Sequence, residues 1–388
     1  FSKIAVIHDW FINKSFGGAE KVTIQIDKLL KEKYSTPEIF SLTSNIKETE
    51  KRFLKGRKVK TSFIQSLPFG SSCVQKYLPL LPFAIEQMDF SEYELIISSS
   101  HAFAKGVLTS PNQLHISYVH TPMRYAWDQM NTYLKQSKLS RYGFSLPIRY
   151  SLFKLREWDF SSSQRIDFLV ANSNFTAKRI KKYWGLDSKV IHPPVNIERF
   201  KHNQNREDFY ISVNRLVPNK RIDLLVQAFN KLGLPLIIIG DGPERPKLKK
   251  IASPNIKFFH RLSNSEVESY MSRCRAFVYA GIEDFGIAPV EAMAAGCPVI
   301  ALGKGGVLDT VKCLTATRKE KVATGILFKN QTSKDIIDTI EWFNEKKIWK
   351  EFIPETLNNY SKKFSPEIFN NKFELFLKQA WNKYKRNL

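Results

Sequence analysis

The sequence predicts an α/β fold made of two Rossmann-like domains, and three observations carry that expectation. Short apolar runs of strand character alternate with helical patterns along the chain, which argues for parallel sheets covered by helices on both faces. The alternation is interrupted once, by Pro193, Pro194 and the polar run up to Asp208, and then starts again. The chain has 388 residues, enough for two cores rather than one. The expected domains are residues 1–200 and 205–365, facing each other across a cleft. A last helix, around residues 369–388, is expected to return to the first domain. Its residues Phe373, Leu377 and Trp381 recur every fourth position and suit packing along one face.

Lys3–His8 reads as the first buried strand. Asp9–Ala19 is a loop containing Gly17 and Gly18, and Glu20–Lys31 follows as an amphipathic helix with Val22, Ile26, Leu29 and Leu30 on one face. Strand, glycines and helix together can bind phosphate, although the spacing is not GxGxxG. Further strands are expected at Glu38–Leu42, Val59–Phe63, Tyr93–Ser98, Gln113–His120 and Asp167–Ala171. His101 and His120 therefore fall at the carboxyl ends of strands, and His120 opens the segment that continues to Arg124 and Tyr125. Residues 126–165 interleave aromatics (Trp127, Tyr133, Tyr142, Phe144, Tyr150, Phe153, Trp158, Phe160) with basic residues. That pattern fits either an interfacial surface or a helix with its aromatics packed inside. Asn172 ends a strand, and Thr176–Tyr183 continues as a helix.

In the second half, Phe209–Asn214 is a strand, and a helix runs from Lys220 or Arg221 to Leu232. Pro235–Ile239 and Ile256–Phe259 are strands; the second leads into Arg261 and Leu262. Ser263 or Asn264 caps a helix to Arg273. Arg275–Tyr279 is a buried strand, Pro289–Ala295 a helix stopped by Gly296 and Pro298, and Val299–Ala301 the next strand. The segment Glu283-Asp284-Phe285-Gly286 is thus a strand-to-helix loop at the carboxyl end of a parallel strand, where ligands of open α/β sheets bind. The helix it opens offers free N–H groups and a positive dipole end. Glu283 sits on the loop and Glu291 eight residues later on the helix. Gly303–Gly306 forms another turn, and Gly325–Phe328 a last strand.

The stretch from Glu283 to Ile300, with Phe285-Gly286 after the first acid and Gly296-Cys297-Pro298 at its end, resembles the signature of the retaining, GT-B-fold group 1 glycosyltransferases, whose motif is Glu, seven residues, Glu. The resemblance covers nearly the whole chain and is strongest from Arg215 to Val311. It implies that Arg215 and Lys220 stabilise the departing diphosphate and that Glu283 holds sugar hydroxyls, helped by backbone N–H groups of Asp284, Phe285, Gly286 and Ile287. It further implies that Glu291 holds the ribose, that Arg261 and Leu262 lie beside the base, and that Gly17 and Gly18 close over the diphosphate. His120 is implied to contact the transferred sugar, with His101, Arg124, Tyr125 and Asn172 on the acceptor side. The family usually has Gly after the lysine, where this chain has Arg221. Ser98–Gly106 and Tyr118–Asp128 look like the bacterial mannosyltransferases of O-antigen and exopolysaccharide assembly. The implied donor is therefore GDP-mannose, and a UDP-sugar is the main competitor. A UDP-sugar epimerase shares this two-domain architecture, but the glutamate pair with Arg215 and Lys220 favours transfer.

No Asp-x-Asp and no carboxylate cluster is present, so no cofactor and no divalent metal is expected. Cys73, Cys274, Cys297 and Cys313 are scattered without a CxxC pair, which argues against a zinc or redox site. No signal peptide is visible and no apolar run approaches the roughly 20 residues of a membrane span, so a reduced, cytoplasmic setting is expected. The net charge is +23, and residues 101–182 hold 13 basic against 4 acidic side chains. Such a field attracts nucleotide sugars, and it suits a peripheral position on the anionic inner face of the plasma membrane, within reach of a glycan or polyprenyl-diphosphate-linked acceptor. Nucleic acid is not an expected partner, because no helix-turn-helix, RRM or zinc signature accompanies the charge.

Overall fold

The computed structural model describes residues 1–12, 17–46, 53–136, 145–314 and 322–386. The chain divides into two units: Phe1–Pro194 together with Phe369–Leu388, and Val195–Ile368.

The first unit holds seven parallel strands, β1 (Ile4–His8), β2 (Glu38–Ser41), β3 (Val59–Thr61), β4 (Leu95–Ser100), β5 (Leu114–Val119), β6 (Phe168–Ala171) and β7 (Lys189–Val190), in the order β3-β2-β1-β4-β5-β6-β7. Successive side chains of a strand point to opposite faces, and β1 shows what that requires of a sheet covered on both sides. Ala5 and Ile7 enter one core with Phe40, Ile96 and Phe103. Ile4 and Val6 enter the other, with Ile39, Leu95 and Ile97. Every residue of β1 is buried. The helix Pro366–Arg386 closes the second of these cores with Phe369, Phe373, Leu377 and Ala380. Trp381, expected on the buried stripe, lies at its margin, with its ring edge-on to Phe1 at 4.5 Å.

The second unit holds six parallel strands, β8 (Tyr210–Val213), β9 (Leu236–Ile239), β10 (Ile256–Phe259), β11 (Ala276–Tyr279), β12 (Val299–Leu302) and β13 (Gly325–Phe328), in the order β10-β9-β8-β11-β12-β13. The division falls earlier than the expected 200–205, because the segment after Pro194 is not a free tether: Val195, Ile197 and Phe200 are buried in the second unit's core. Cys274 and Cys297, distant in sequence, meet in that core with their sulfurs 3.0 Å apart as free thiols.

Local corrections have local causes. The first helix starts at Gly18, two residues before the expected Glu20, with Gly17 as its N-cap. Strand β3 stops at Thr61 because Ser62 caps a tight turn over Phe63–Ser66, accepting the N–H of Ile64. The short edge strand β7 and the helix Arg245–Ile251 were not expected. The aromatic run is partly buried and partly exposed. Within the helix Ser145–Ser163, Trp158 packs inward while Tyr150, Phe153 and Phe160 are exposed. Tyr142 and Phe144 lie outside the described residues.

The terminal helix gives the sharpest stability test. Phe373→Ala removes a fully buried ring and is expected to cost about 3–5 kcal/mol. Leu375→Ala, on the exposed side of the same helix, should change stability by about 0.5 kcal/mol or less. Urea unfolding of both variants checks the difference.

Candidate functional site

In each unit the order of strands reverses beside its first strand, between β1 and β4 and between β8 and β11. Connections leave such a pair in opposite directions, and the crevice at the carboxyl ends is where open α/β sheets bind ligands. Most of the predicted residues lie on loops at or beside these two places, whereas Arg261 and Leu262 follow the edge strand β10 and Asn172 follows β6.

In the second unit, the loop after β8 carries Arg215 and Lys220. It is held by backbone bonds from Asn214 N–H to Ile239 and from Leu216 N–H to Asp241. Arg215 is exposed, and among the described residues no ion-pair partner is found for it. Lys220 ends the tight turn Pro218–Lys220. Arg221, where the family usually has Gly, adopts φ +52° and so takes the left-handed conformation that Gly would supply without strain. Across the crevice, the loop after β11 carries Glu283, whose Oε1 forms an ion pair with Lys220 Nζ. The sequence reading gave these two side chains to different parts of one ligand, and the fold puts them in contact. Gly286, at φ +89°, is the N-cap of the helix Ile287–Ala294 and has no side chain with which to cap it. Phe285 is buried, edge-on to Phe364 at 5.6 Å, so it anchors the loop through its ring and can meet a ligand only through its backbone. Gly306 permits this loop's path: its N–H donates to Glu283 O at 2.8 Å, and a Cβ there would sit 2.3 Å from Phe285 Cα.

Glu291 lies within that helix, and its Oε1 accepts from Arg199 Nη2 at 2.9 Å. Arg199 also reaches Glu268 at 3.1 Å. Sequence reasoning missed Arg199, because it sits in the stretch read as a linker. Arg261 is exposed and Leu262 half-buried in the loop after β10, next to His260, whose Nε2 lies 3.0 Å from Asp241 Oδ2.

In the first unit, the ends of β1, β4 and β5 lie side by side, with His8 opposite Ser99 and Ser100 opposite Val119. This brings His8, His101 and His120 together, with ring centres 5.7 Å apart for His8–His101 and 6.3 Å for His8–His120. His120 Nε2 pairs with Ser99 Oγ at 2.8 Å, and Thr23 donates to the same Ser99 Oγ at 2.8 Å. His8 Nδ1 faces the Ser99 carbonyl at 2.9 Å, so the proton sits on Nδ1. Asn172 donates to the His120 carbonyl at 2.9 Å and thereby holds that residue's backbone. Gly17 N–H, expected beside a phosphate, donates to Glu20 Oε2 at 3.0 Å. Arg124 and Tyr125 are half-buried on the segment after His120, and the Tyr125 hydroxyl lies inside. Asp9 and Lys105, both buried among these loops, went unread. A polar His-Asp pair directly after an apolar strand was the signal that could have found Asp9.

Residues 195–364 match the family described as Glycosyl transferases group 1, and residues 16–199 match Glycosyltransferase Family 4. The chain belongs to the group 1 glycosyltransferases. Among curated relatives, this glycosyltransferase is 29% identical over 217 residues to alpha-1,3/1,6-mannosyltransferase ALG2 of Saccharomyces cerevisiae, covering 42% of this chain and 43% of that one. It is 27% identical to an uncharacterized glycosyltransferase of Methanocaldococcus jannaschii, over 70% and 71% of the two chains. It is 29% identical to a GDP-mannose-dependent monoacylated alpha-(1-6)-phosphatidylinositol monomannoside mannosyltransferase of Corynebacterium glutamicum, over 38% and 47%. The match thus spans under half the length of two of these relatives. Among solved structures, sucrose-phosphate synthase from Thermosynechococcus elongatus superposes with a TM-score of 0.73 at 16% identity, covering 99% and 100% of the chains. Anabaena HepE, in complex with UDP and glucose, gives 0.68 at 18%, covering 97% and 100%. The glycosyltransferase has the GT-B fold.

The histidines set a pH dependence of stability. Burial depresses the pKa of His8, of His115 near the start of β5 (to about 3) and of His120. Each folded value lies below the ordinary 6.5, so the unfolded chain binds more protons in acid. Stability is full above about pH 6.5 and is lost as pH falls below it, by at most about 1.4 kcal/mol per pH unit per histidine. His101 runs the other way: burial opposes its charge, but Asp9 raises its pKa, so its contribution is lost as pH rises through the folded value. With three against one, the urea midpoint is expected to fall between pH 7.5 and 5.5, and His115→Gln should flatten the slope. A midpoint that rises on acidification would show that the His101 pair dominates.

Proposed function

We propose that the chain is a retaining, metal-independent mannosyltransferase. It moves mannose from GDP-mannose to a glycan or polyprenyl-diphosphate-linked acceptor, in O-antigen or related cell-surface polysaccharide synthesis on the cytoplasmic face of the plasma membrane. The observation that carries this reading is the strand-end ion pair of Lys220 and Glu283, with Arg215 on the same loop as Lys220, before the N-terminus of the helix Ile287–Ala294, in a chain whose curated relatives include mannosyltransferases.

In this reading negative charge grows on the donor's β-phosphate as the sugar–oxygen bond breaks. Arg215, Lys220 and the helix N-terminus stand at the strand ends where that charge would form. The diphosphate draws Lys220 away from Glu283 and frees that carboxylate for sugar hydroxyls. Glu291, steadied by Arg199, holds the ribose, and the Arg261–Leu262 backbone flanks the base. The acceptor oxygen bonds to the anomeric carbon on the face the phosphate leaves, and the leaving phosphate takes the acceptor proton. His120 contributes a neutral imidazole near the sugar.

The membrane part of the proposal rests on the helix Ser145–Ser163. Leu146, Tyr150, Phe153 and Phe160 are exposed on it, at 76%, 62%, 43% and 47%, spaced so that they share one side. Exposed Arg149 and Lys154 lie among them. Aromatics beside basic groups suit an anionic lipid surface. No helix among the described residues is long and apolar enough to cross a membrane.

Nucleoside diphosphate release from a panel of nucleotide sugars tests the donor: GDP-mannose is expected to lead, and a leading UDP-sugar would replace it. Arg215→Ala and Lys220→Ala should each lower turnover roughly a hundredfold or more, with little effect on folding. Full activity in either would remove the diphosphate assignment. Activity should survive EDTA, and loss restored by Mg²⁺ or Mn²⁺ would overturn the metal-free mechanism. Vesicles with anionic lipid should sediment the protein at low salt and release it at high salt. Equal binding to neutral vesicles would assign the charge to donor capture instead.

A further inference from the structure

The chemistry proposed above leaves Asp9 without a task, although it is fully buried at the reversal of the first sheet. Its Oδ2 accepts the N–H groups of His101 and Ala102, and its Oδ1 those of Phe103 and Ala104, at 2.5 to 3.2 Å. Four successive amides after β4 thus close on one carboxylate, which fixes the turn that carries His101. Oδ2 also lies 2.9 Å from His101 Nδ1, off hydrogen-bond alignment, so this contact is mainly Coulombic. A bare Nδ1 lone pair at that distance from an ionised oxygen is repelled, so the forms with a hydrogen on Nδ1, the imidazolium above all, are favoured. Nε2 is on the other edge of the ring and faces away from Asp9, on a side chain that is 29% exposed. Trp10 packs perpendicular to the ring at 4.7 Å and limits its rotation.

We propose that Asp9 is a positioning residue: it fixes the turn His101–Ala104 and the His101 ring so that Nε2–H is presented as a charged donor to a phosphate-bearing part of the substrate. The neighbouring elements divide over the charge. Asp9 and Glu20 favour the imidazolium, while burial, Arg124 and the buried His8 oppose it, and the outcome lies above the ordinary histidine value. Asp9 stays ionised: burial pushes its carboxyl up, but His101, His8 and the backbone donors hold it well below the usual carboxylate range. The inference rests on the glycosyltransferase reading for the nature of the ligand. The phosphate can belong to the nucleotide of the donor or to a lipid diphosphate of the acceptor.

The test uses the full chain, with GDP and geranyl diphosphate as probes, titrated calorimetrically at pH 6.5 and 8.5. His101→Gln is expected to weaken one probe roughly tenfold or more at pH 6.5, the loss of a charge-assisted hydrogen bond, and to flatten that probe's pH dependence. Loss for GDP assigns the donor, and loss for geranyl diphosphate the acceptor. Unchanged affinity for both overturns the proposal. Histidine ring NMR adds a readout that a merely structural role would not move. The resonance missing in His101→Gln belongs to His101, and in Asp9→Asn its titration midpoint should drop by about one pH unit or more. An unchanged midpoint overturns the role of Asp9. If Asp9→Asn does not fold, the wild-type midpoint decides: a His101 that titrates at or below 6.5 overturns the proposal. None of these measurements requires sugar transfer. A chain that behaves as expected here but transfers no sugar refutes the proposed function and leaves the role of Asp9 standing.

Discussion

The reversal of strand order is the constraint on which the rest of this protein depends. In a parallel sheet every connection crosses a face, and next to the first strand the crossings diverge. The chain meets that situation twice, at β1/β4 and at β8/β11. At both places the strand ends carry polar side chains: His8, Asp9 and Ser99 in one sheet, Asn214, Arg215, Lys220 and Glu283 in the other. The strands of the second sheet are almost wholly apolar, and in the first sheet the buried polar residues include Ser98, Ser99 and Ser100 at the end of β4. Many of the chemistry-bearing residues therefore stand where the backbone leaves the sheet.

Several of the site's charges have partners. Lys220 has Glu283, and Arg199 bridges Glu268 and Glu291. These pairs are only partly exposed, so their Coulombic attraction is screened less than that of surface pairs. They also set side-chain directions before any ligand arrives. The acids of the signature are thus held by bases from other elements, and the site is a network rather than a row of independent ligands.

The fold was legible because its signals are periodic and local. Alternation of apolar runs with helical patterns gave nearly every central strand, and the spacing of Phe373 and Leu377 gave the returning helix. Edge strand β7 has two residues and no pattern to detect. Glu283, Glu291, Arg215 and Lys220 were legible because flanking glycines and prolines mark their loops. Their partners were not. Arg199 lies 92 residues from Glu291, and Asp9 lies 92 to 95 residues from the amides it binds. Such pairings depend on strand register, which the sequence states only after the sheet is known. The cysteines show the same limit: scattered along the chain, Cys274 and Cys297 are brought into contact by β11 and β12.

Lys105 follows from the same logic. Once Asp9 has taken the amides of His101 to Ala104, the next side chain is directed into the interior. Lys105 is 1% exposed, and an isolated buried ammonium would be too costly to keep. Its Nζ reaches Asp159 Oδ1 at 3.1 Å, the Asp159 carbonyl at 3.0 Å and Ser162 Oγ at 2.6 Å, under the rings of Trp158 and Trp184. Asp159 in turn accepts the indole N–H groups of Trp127 and Trp184 at 2.8 and 2.7 Å. Burial still pushes the lysine's pKa down. A buried pair of this kind adds little net stability over an apolar replacement, but removing one member leaves a bare charge. Its effect here is geometric: it ties the turn after β4 to the helix Ser145–Ser163. The loop that carries His101 is therefore gripped from both sides, by a carboxylate on its amides and by a lysine anchored at its end, and the inward aromatics of residues 126–165 are the walls of that anchor.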